Sequence, residues 1–270
     1  GTAPIFSTFL GSGGNDNAGG IKLKSNGDIV IAGISSSTAF PTTAGCYKAV
    51  GTTSPEGFIA ILNSNATTLL ASTRIGDQST VVSGVDVDVN DNVYIIGYIM
   101  SNTQFPITAG AFLGSFAITG VNLPYCQKYN PTLTTLSYST FINCFNGHYL
   151  FPTDIEVDQN GYAHVVGYKG AGSGFNNCDF TTPCRYNFGV LNNPFNMYTW
   201  FIVLNPTATA ASYAAYLGGP QVSWGGLNPK IKIITDCTKE VVISFETSDP
   251  LVKTTPGAYQ TANSMVAIQA

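Results

Sequence analysis

Charge is scarce in this chain: Lys, Arg, Asp and Glu together make up 10% of its 270 residues, and the net charge is −4. The eleven Lys and Arg residues are scattered and form no basic patch that could neutralise a nucleic-acid backbone. No apolar run approaches the roughly 20 residues that a membrane-spanning helix needs. We therefore expect neither nucleic acid nor a membrane span among the partners of this protein.

Helical signals are missing as well. No long stretch combines helical periodicity with helix caps, whereas short alternating apolar segments recur from end to end. Gly, Thr, Ser and Asn are plentiful, and Val, Ile, Tyr and Phe supply most of the apolar mass, a mixture that favours strands and turns. These observations predict an all-β protein. Because nothing resembling a linker interrupts the chain, we predict one domain over residues 1–270.

A repeated motif predicts the architecture. The segment FSTFLG from Phe6 returns as ASTRIG from Ala71, YSTFIN from Tyr138 and YAAYLG from Tyr213. Each copy precedes a strand–turn–strand unit, which reads IKLKSNGDIVIAG, VDVDVNDNVYIIG, IEVDQNGYAHVVG and, less cleanly, IKIITDCTKEVVISF. Asn, Asp and Gly at the centre of these units suit a tight hairpin with positive φ, and the flanking alternation fixes its register.

Two further segments complete each repeat. A turn-rich motif reads FPTTAGCY, FPITAGAF, FTTPCRY and KTTPGAY, and a third strand reads GFIAILN, PYCQKYN, WFIVLN and MVAIQA. Four strands per repeat predict a β-propeller of four blades, each of four antiparallel strands. The repeats span about 12–76, 77–142, 143–217 and 218–270 plus 1–11.

The two ends of the chain complement each other. APIFSTFLG corresponds to the fourth strand of a repeat, and SMVAIQA corresponds to the third. We predict that residues 4–10 pair with residues 264–270 and close the ring, which removes exposed sheet edges. The alternative is four blades of a larger ring, or half of an eight-bladed dimer.

STFLGSGGND, the strand–turn–strand unit with its closing glycine, FPTTAG, TTPGAY and FIAILN recur in order over nearly the whole chain. In this combination the chain resembles the bacterial β-propeller repeat family abbreviated SBBP, which occurs in large secreted and surface proteins, notably of Bacteroidetes. The resemblance implies an extracellular or cell-surface propeller, often part of a longer multidomain chain with adhesion roles. It carries over no catalytic residue, because the family shares no active-site motif. The third repeat departs most from the pattern, through an insertion between Gly170 and Tyr198.

The six cysteines show no metal-type pair of CxxC spacings. Cys178 and Cys184 bracket a short polar loop that a disulfide could close, which would imply an oxidising compartment. The alternative is that these are ordinary buried thiols.

Candidate ligand-binding residues are few. Of the two histidines, His164 lies inside a strand where the second repeat has Tyr94, which indicates packing. His148 lies in the variable segment GHYLFP, and Trp224 lies in the Gly-rich loop QVSWGGLNP. These last two are the side chains that we expect to contact a ligand.

The densest carboxylates are Asp86, Asp88 and Asp91 in VDVDVNDN. Oxygen ligands at this density could hold calcium, although Asp88 and Asp91 are equally suited to binding turn amides. We otherwise expect no metal or cofactor and predict no catalytic residue.

These features predict a non-catalytic extracellular β-propeller that binds a protein or glycan at the cell surface, or packs against other domains of a larger parent chain. The insertion at residues 170–198 is the favoured contact region, because such excursions carry function in repeat proteins. One alternative is a polysaccharide-acting enzyme, a glycan hydrolase or lyase, with acids at the channel mouth. The other is a purely structural subunit of a surface assembly.

Overall fold

The computed structural model describes residues 3, 5–51, 54–76, 79–100, 105–115, 122–142, 150–169, 185–187, 197–221, 230–233 and 241–244. Every regular element in these ranges is a β-strand, which confirms the predicted all-β class. The described ranges accordingly contain no helix that could cross a membrane.

Three large sheets follow one another along the chain. The first comprises β1 (Asp16–Leu23), β2 (Ile29–Ser35), β3 (Glu56–Leu62) and β4 (Leu69–Ile75). The second comprises β5 (Thr80–Val87), β6 (Val93–Ile99), β7 (Leu123–Tyr129) and β8 (Leu136–Phe141). The third comprises β9 (Leu150–Val157), β10 (Ala163–Lys169), β11 (Arg185–Asn187), β12 (Met197–Leu204) and β13 (Ala211–Gln221). Each sheet contains the predicted four antiparallel strands in meander order.

The third sheet has a fifth strand that the sequence pattern did not predict. This is β11, which lies inside the insertion and pairs in parallel with β13 at the outer edge of the sheet. After the third sheet, β14 (Lys230–Ile233) and β15 (Val241–Ser244) form an antiparallel pair. This pair corresponds to the strand–turn–strand unit of the fourth repeat.

The sheets pack face to face, with their first strands at the centre. β1 contacts β5, β5 contacts β9, and β9 contacts β14. One apolar core joins the first sheet to the second, and another joins the second to the third. The second sheet is therefore buried on both faces, which explains near-continuous apolar runs such as VYIIGY.

The glycine that closes each strand–turn–strand unit has a packing reason. Gly33, Gly97 and Gly167 lie beside an irregularity in the pairing of the first two strands of their sheets. A Cβ atom at these positions would come within 2.1, 1.8 and 2.3 Å of a first-strand carbonyl oxygen. The oxygens belong to Asn17, Val81 and Phe151. Only glycine allows this approach of backbone to backbone.

The sequence predicts that residues 4–10 pair with residues 264–270 and close the ring. Residues 264–270 lie outside the described residues, and residues 5–10 are described but form no strand.

Replacing Gly97 with alanine should destabilise the protein by about 3 kcal/mol, because the new methyl group collides with the Val81 carbonyl in a packed sheet. Urea unfolding measures the change. Gly114→Ala is the matched control, since a Cβ there meets nothing within 4 Å. Equal effects of the two substitutions would contradict this account of the closing glycine.

Candidate functional site

Three charged side chains meet where the first strands of the three sheets lie side by side. Lys22 of β1, Asp86 of β5 and Glu156 of β9 occupy the same position of the repeat. The Lys22 Nζ lies 3.1 Å from Asp86 Oδ1 and 2.6 Å from Glu156 Oε1. This group is termed the inner-strand charge cluster.

The electrostatics of the inner-strand charge cluster follow from its burial. The exposed fractions of Asp86 and Glu156 are 6% and 8%. Burial raises the pKa of Asp86, the Lys22 ammonium lowers it in part, and Glu156 raises it again. Burial also acts to lower the pKa of Lys22, but the Asp86 and Glu156 carboxylates outweigh it and raise that pKa above its ordinary value.

Two neighbouring carboxyl groups, one with a raised pKa, are also the parts of a glycoside-cleaving site. In this protein the ammonium of Lys22 bridges them, and the second oxygen of Asp86 accepts a hydrogen bond of 2.6 Å from the backbone N–H of Val157. The partners come from three sheets. The arrangement therefore links the sheets through charge-assisted hydrogen bonds.

Of the three aspartates proposed for calcium, Asp88 caps its own hairpin. Its Oδ1 accepts hydrogen bonds from the backbone N–H groups of Asn90 and Asn92 at 2.9 and 3.0 Å, and its Oδ2 accepts from the Tyr94 hydroxyl at 3.0 Å. Burial acts to raise the pKa of Asp88, but these hydrogen bonds outweigh it and lower the pKa. Asp158 accepts the equivalent backbone bonds in the third repeat.

Asp91 binds the neighbouring sheet instead. Its carboxylate accepts hydrogen bonds from the Ser25 backbone N–H at 2.9 Å and from the Ser25 hydroxyl at 3.0 Å. With Asp86 held by Lys22, the three aspartates Asp86, Asp88 and Asp91 bind separate protein partners and share no ligand position. Within the described ranges, no group of three or more His, Cys, Asp or Glu residues could hold a metal ion. The predicted calcium site therefore has no shared ligand group in this structure.

His164 is half-buried in β10 at the repeat position of Tyr94, as the packing interpretation expects. Its Nε2 lies 3.7 Å from Asp158 Oδ2, which is longer than a hydrogen bond. Its ring centroid lies 6.0 Å from that of Phe201. Burial lowers the pKa of His164, and Asp158 raises it only in part. The imidazole is therefore held in its neutral form near neutral pH.

The remaining predicted residues, His148, Trp224, Cys178 and Cys184, lie outside the described residues. Along the chain, each of them falls in a connection between described strands. His148 falls between β8 and β9, Trp224 between β13 and β14, and the two cysteines between β10 and β11. All three connections leave strands at the same end, opposite the hairpins that join β1 to β2 and β3 to β4. These ends are termed the long-connection end and the hairpin end.

Of the described cysteines, Cys46 and Cys126 are free thiols. Cys126 is buried, and its Sγ lies 3.6 Å from the Tyr138 hydroxyl. Burial raises the pKa of Cys126 to about 12. This thiol is therefore unreactive and forms part of the apolar core between the second and third sheets.

Lys22 and Glu156 were not among the site residues predicted from sequence. The signal that could have found them is the repeat alignment, in which one column reads Lys22, Asp86, Glu156 and Lys232. A column that contains both basic and acidic residues in otherwise apolar strands indicates mutual pairing between repeats.

Comparisons with known proteins show only distant similarity. No protein-family model matches the chain, and no curated protein matches it. An acylaminoacyl peptidase solved in complex with Z-Gly-Gly-Phe-chloromethyl ketone is similar over 87% of this chain, with 10% identity and a TM-score of 0.41. The Pyrococcus horikoshii acylaminoacyl peptidase in an orthorhombic crystal form is similar over 87%, with 10% identity and a TM-score of 0.37. This chain spans 31% of the length of each of them.

Replacing Lys22 with methionine should cost about 3 kcal/mol at pH 7, because two nearly buried carboxylates lose their counter-charge. The deficit should shrink as the pH falls towards 4, since the raised pKa of Asp86 lets protonation neutralise that carboxyl. Urea unfolding at both pH values measures it. Lys24→Met removes the same charge but breaks only a 3.2 Å hydrogen bond to the Pro131 carbonyl, and should cost about 1 kcal/mol or less. Equal losses from the two variants would argue against the bridging role.

His164→Tyr should remove an acid sensitivity. Because the folded-state pKa of His164 is lowered from 6.5, the unfolded chain binds the proton more readily, so the wild-type protein loses stability as the pH falls below 6.5. Tyrosine at this position has a precedent in Tyr94, which bonds Asp88. The difference between the unfolding free energies at pH 7.5 and pH 5 should be smaller for the variant than for the wild-type protein. An unchanged slope would mean that His164 does not titrate as its burial requires.

Proposed function

We propose that this protein is a non-catalytic, extracellular four-bladed β-propeller that binds a protein or glycan through its long-connection end. The observation that carries the proposal is the contrast between the two ends of the sheets. The connections between the second and third long strands begin and end at the long-connection end and are long, comprising residues 36–55, 100–122 and 170–196. Within the first two of them, Tyr47 and Phe112 reach turns of the hairpin end of the next sheet. Binding residues concentrate on such loops when a rigid scaffold holds them.

The hairpin end is regular by comparison. Asn63, Asn130 and Asn205 follow β3, β7 and β12, and the side-chain oxygen of each accepts hydrogen bonds from the backbone N–H groups four and five residues later. The same backbone geometry recurs in all three turns. Turns that share one hydrogen-bond pattern are typical of an end that serves the scaffold. This supports assigning ligand binding to the long-connection end.

The use of charge supports a binding module over an enzyme. The inner-strand charge cluster connects three sheets, and Lys128 lies 3.3 Å from Asp88 across the second sheet. Glu56 and Arg74 form a completely buried pair at 3.2 Å within the first sheet. Buried charges paired with one another in this way serve the scaffold.

Closure into four blades is part of the proposal. Phe9 is fully exposed, whereas Phe141, at the same repeat position, is buried in β8. By repeat position, residues 4–10 correspond to a fourth strand and residues 264–270 to a third, and pairing between them would cover Phe9. Lys232 aligns with Lys22, Asp86 and Glu156, so a closed ring would bring two lysines and two carboxylates to this repeat position. Both features favour a ring in which residues 4–10 complete the fourth blade.

Binding to an array of immobilised glycans and cell-surface proteins tests the assignment of the binding end. We expect Trp224→Ala, and to a lesser degree His148→Ala, to weaken binding by about tenfold or more, since tryptophans are frequent binding hot spots. Ser64→Ala, an exposed residue of the hairpin end, is the control and should leave binding unchanged. Loss of binding in the Ser64 variant with retention in the Trp224 variant would overturn the proposal.

A glycan-cleaving enzyme is the second candidate, because Asp86 and Glu156 both bind Lys22. Incubation with soluble polysaccharides and measurement of new reducing ends or unsaturated products tests it. Cleavage that Asp86→Asn and Glu156→Gln abolish would favour the enzyme, whereas cleavage unaffected by both variants would exclude this cluster as its active site.

A further inference from the structure

The chain that follows each turn-rich segment runs along the outer strand of its own sheet. In the first repeat, the backbone N–H of Arg74 in β4 donates to the Lys48 carbonyl at 2.9 Å. In the second repeat, the backbone N–H of Phe141 in β8 donates to the Leu113 carbonyl at 3.1 Å. In the third sheet, β11 lies in the same place beside β13. The repeats therefore share one backbone pattern at this edge.

The side chains at this edge are charged in the first repeat. Lys48 lies after the turn-rich segment, Glu56 in β3 and Arg74 in β4. The Lys48 Nζ lies 3.4 Å from Glu56 Oε1, and the Arg74 Nε lies 3.2 Å from Glu56 Oε2. Glu56 and Arg74 are completely buried, and the Arg74 guanidinium lies 5.8 Å from the centre of the Phe40 ring. Lys48, Glu56 and Arg74 are termed the first-repeat charge triad.

The second repeat has an apolar set at the same three positions, namely Leu113, Leu123 and Phe141. Leu123 and Phe141 are buried in the core between the first two sheets, and Leu113 packs against that core. The ring of Phe105 stacks on that of Phe141 at 5.7 Å. The same backbone pattern therefore forms without charge, so the fold of this edge does not require the first-repeat charge triad.

An exchange of strands between the first two repeats would separate these charges. If β3 paired with β8 in place of β4, Glu56 would lie beside Phe141 and lose the guanidinium of Arg74. If β7 paired with β4, Arg74 would be buried beside Leu123 without a carboxylate. Removing one partner of a buried ion pair is strongly destabilising, whereas replacing the whole pair by apolar residues is often neutral. The charges therefore penalise mixed pairings far more than they stabilise the correct one.

We propose that the first-repeat charge triad is a specificity device, which makes the strands of the first sheet pair with one another and rejects the corresponding strands of the second repeat. Its members come from three separate pieces of the repeat, so the exchange of any one piece leaves a charge without its partner. Misassembly between similar units is a characteristic failure of repeat proteins. The inference goes beyond the proposed function and does not depend on what the long-connection end binds.

Thermal unfolding separates this role from a contribution to stability. The triple variant Lys48→Leu, Glu56→Leu, Arg74→Phe gives the first repeat the residues of the second, and its Tm should lie within about 5 °C of the wild-type value. Arg74→Phe alone should lower Tm by about 10 °C, because Glu56 then stays buried without the guanidinium. A triple variant that unfolds at as low a temperature as the single variant would overturn the proposal.

Refolding from urea tests the specificity itself. The triple variant should give at least about twofold less native monomer than the wild-type protein, because its first two repeats no longer reject each other's strands. Benzoylphenylalanine in place of Leu70, an exposed residue of β4, reports the partner strand after irradiation and mass spectrometry of the refolded mixture. It should link to β3 in the wild-type protein and to β7 as well in the triple variant. A wild-type yield from the triple variant, or a lower yield with links confined to β3, would overturn the proposal.

Discussion

The close approach of the first strands of successive sheets is the constraint on which the rest of this structure depends. A Cβ atom on Gly19 of β1 would come within 2.2 Å of the Val82 carbonyl oxygen in β5, and one on Gly20 would come within 2.9 Å of the Val85 side chain. Side chains at the centre must therefore be absent, apolar or paired. The inner-strand charge cluster meets this condition, because one ammonium compensates two carboxylates that burial would otherwise penalise.

The repeat made the sheets predictable, because strand, turn and strand are encoded locally and three times over. Strand order and the closing glycine could both be predicted from the repeated strand–turn–strand units. The reason for the glycine, the approach of a first-strand carbonyl to its Cα, could not be predicted. Lys22 and Glu156 lie 134 residues apart in the chain, and such a pair emerges only when the repeats are compared column by column. β11 escaped prediction because three residues carry no periodic pattern.

Local and long-range roles also explain why the aspartates of VDVDVNDN were ambiguous. Asp88 bonds amides two and four residues onward, which any Asx turn predicts, but Asp91 bonds a serine 66 residues away on another sheet. The first repeat has Lys24 where the others have Asp88 and Asp158. Its hairpin therefore donates the Ser25 N–H to a carboxylate of the second repeat, that of Asp91. Neighbouring repeats have thus diverged in their hydrogen-bond partners, and the second repeat supplies the carboxylate that the first lacks.

The backbone hydrogen bonds from Tyr47 to Leu133 and from Phe112 to Ala208 give the contact between successive repeats a direction. Donor and acceptor are different surfaces, so the interface between repeats is head-to-tail, and such an interface generates a ring when its rotation closes and an open filament when it does not. Contacts of this kind could also join repeats of separate molecules, using no surface beyond those that already join Tyr47 to Leu133 and Phe112 to Ala208.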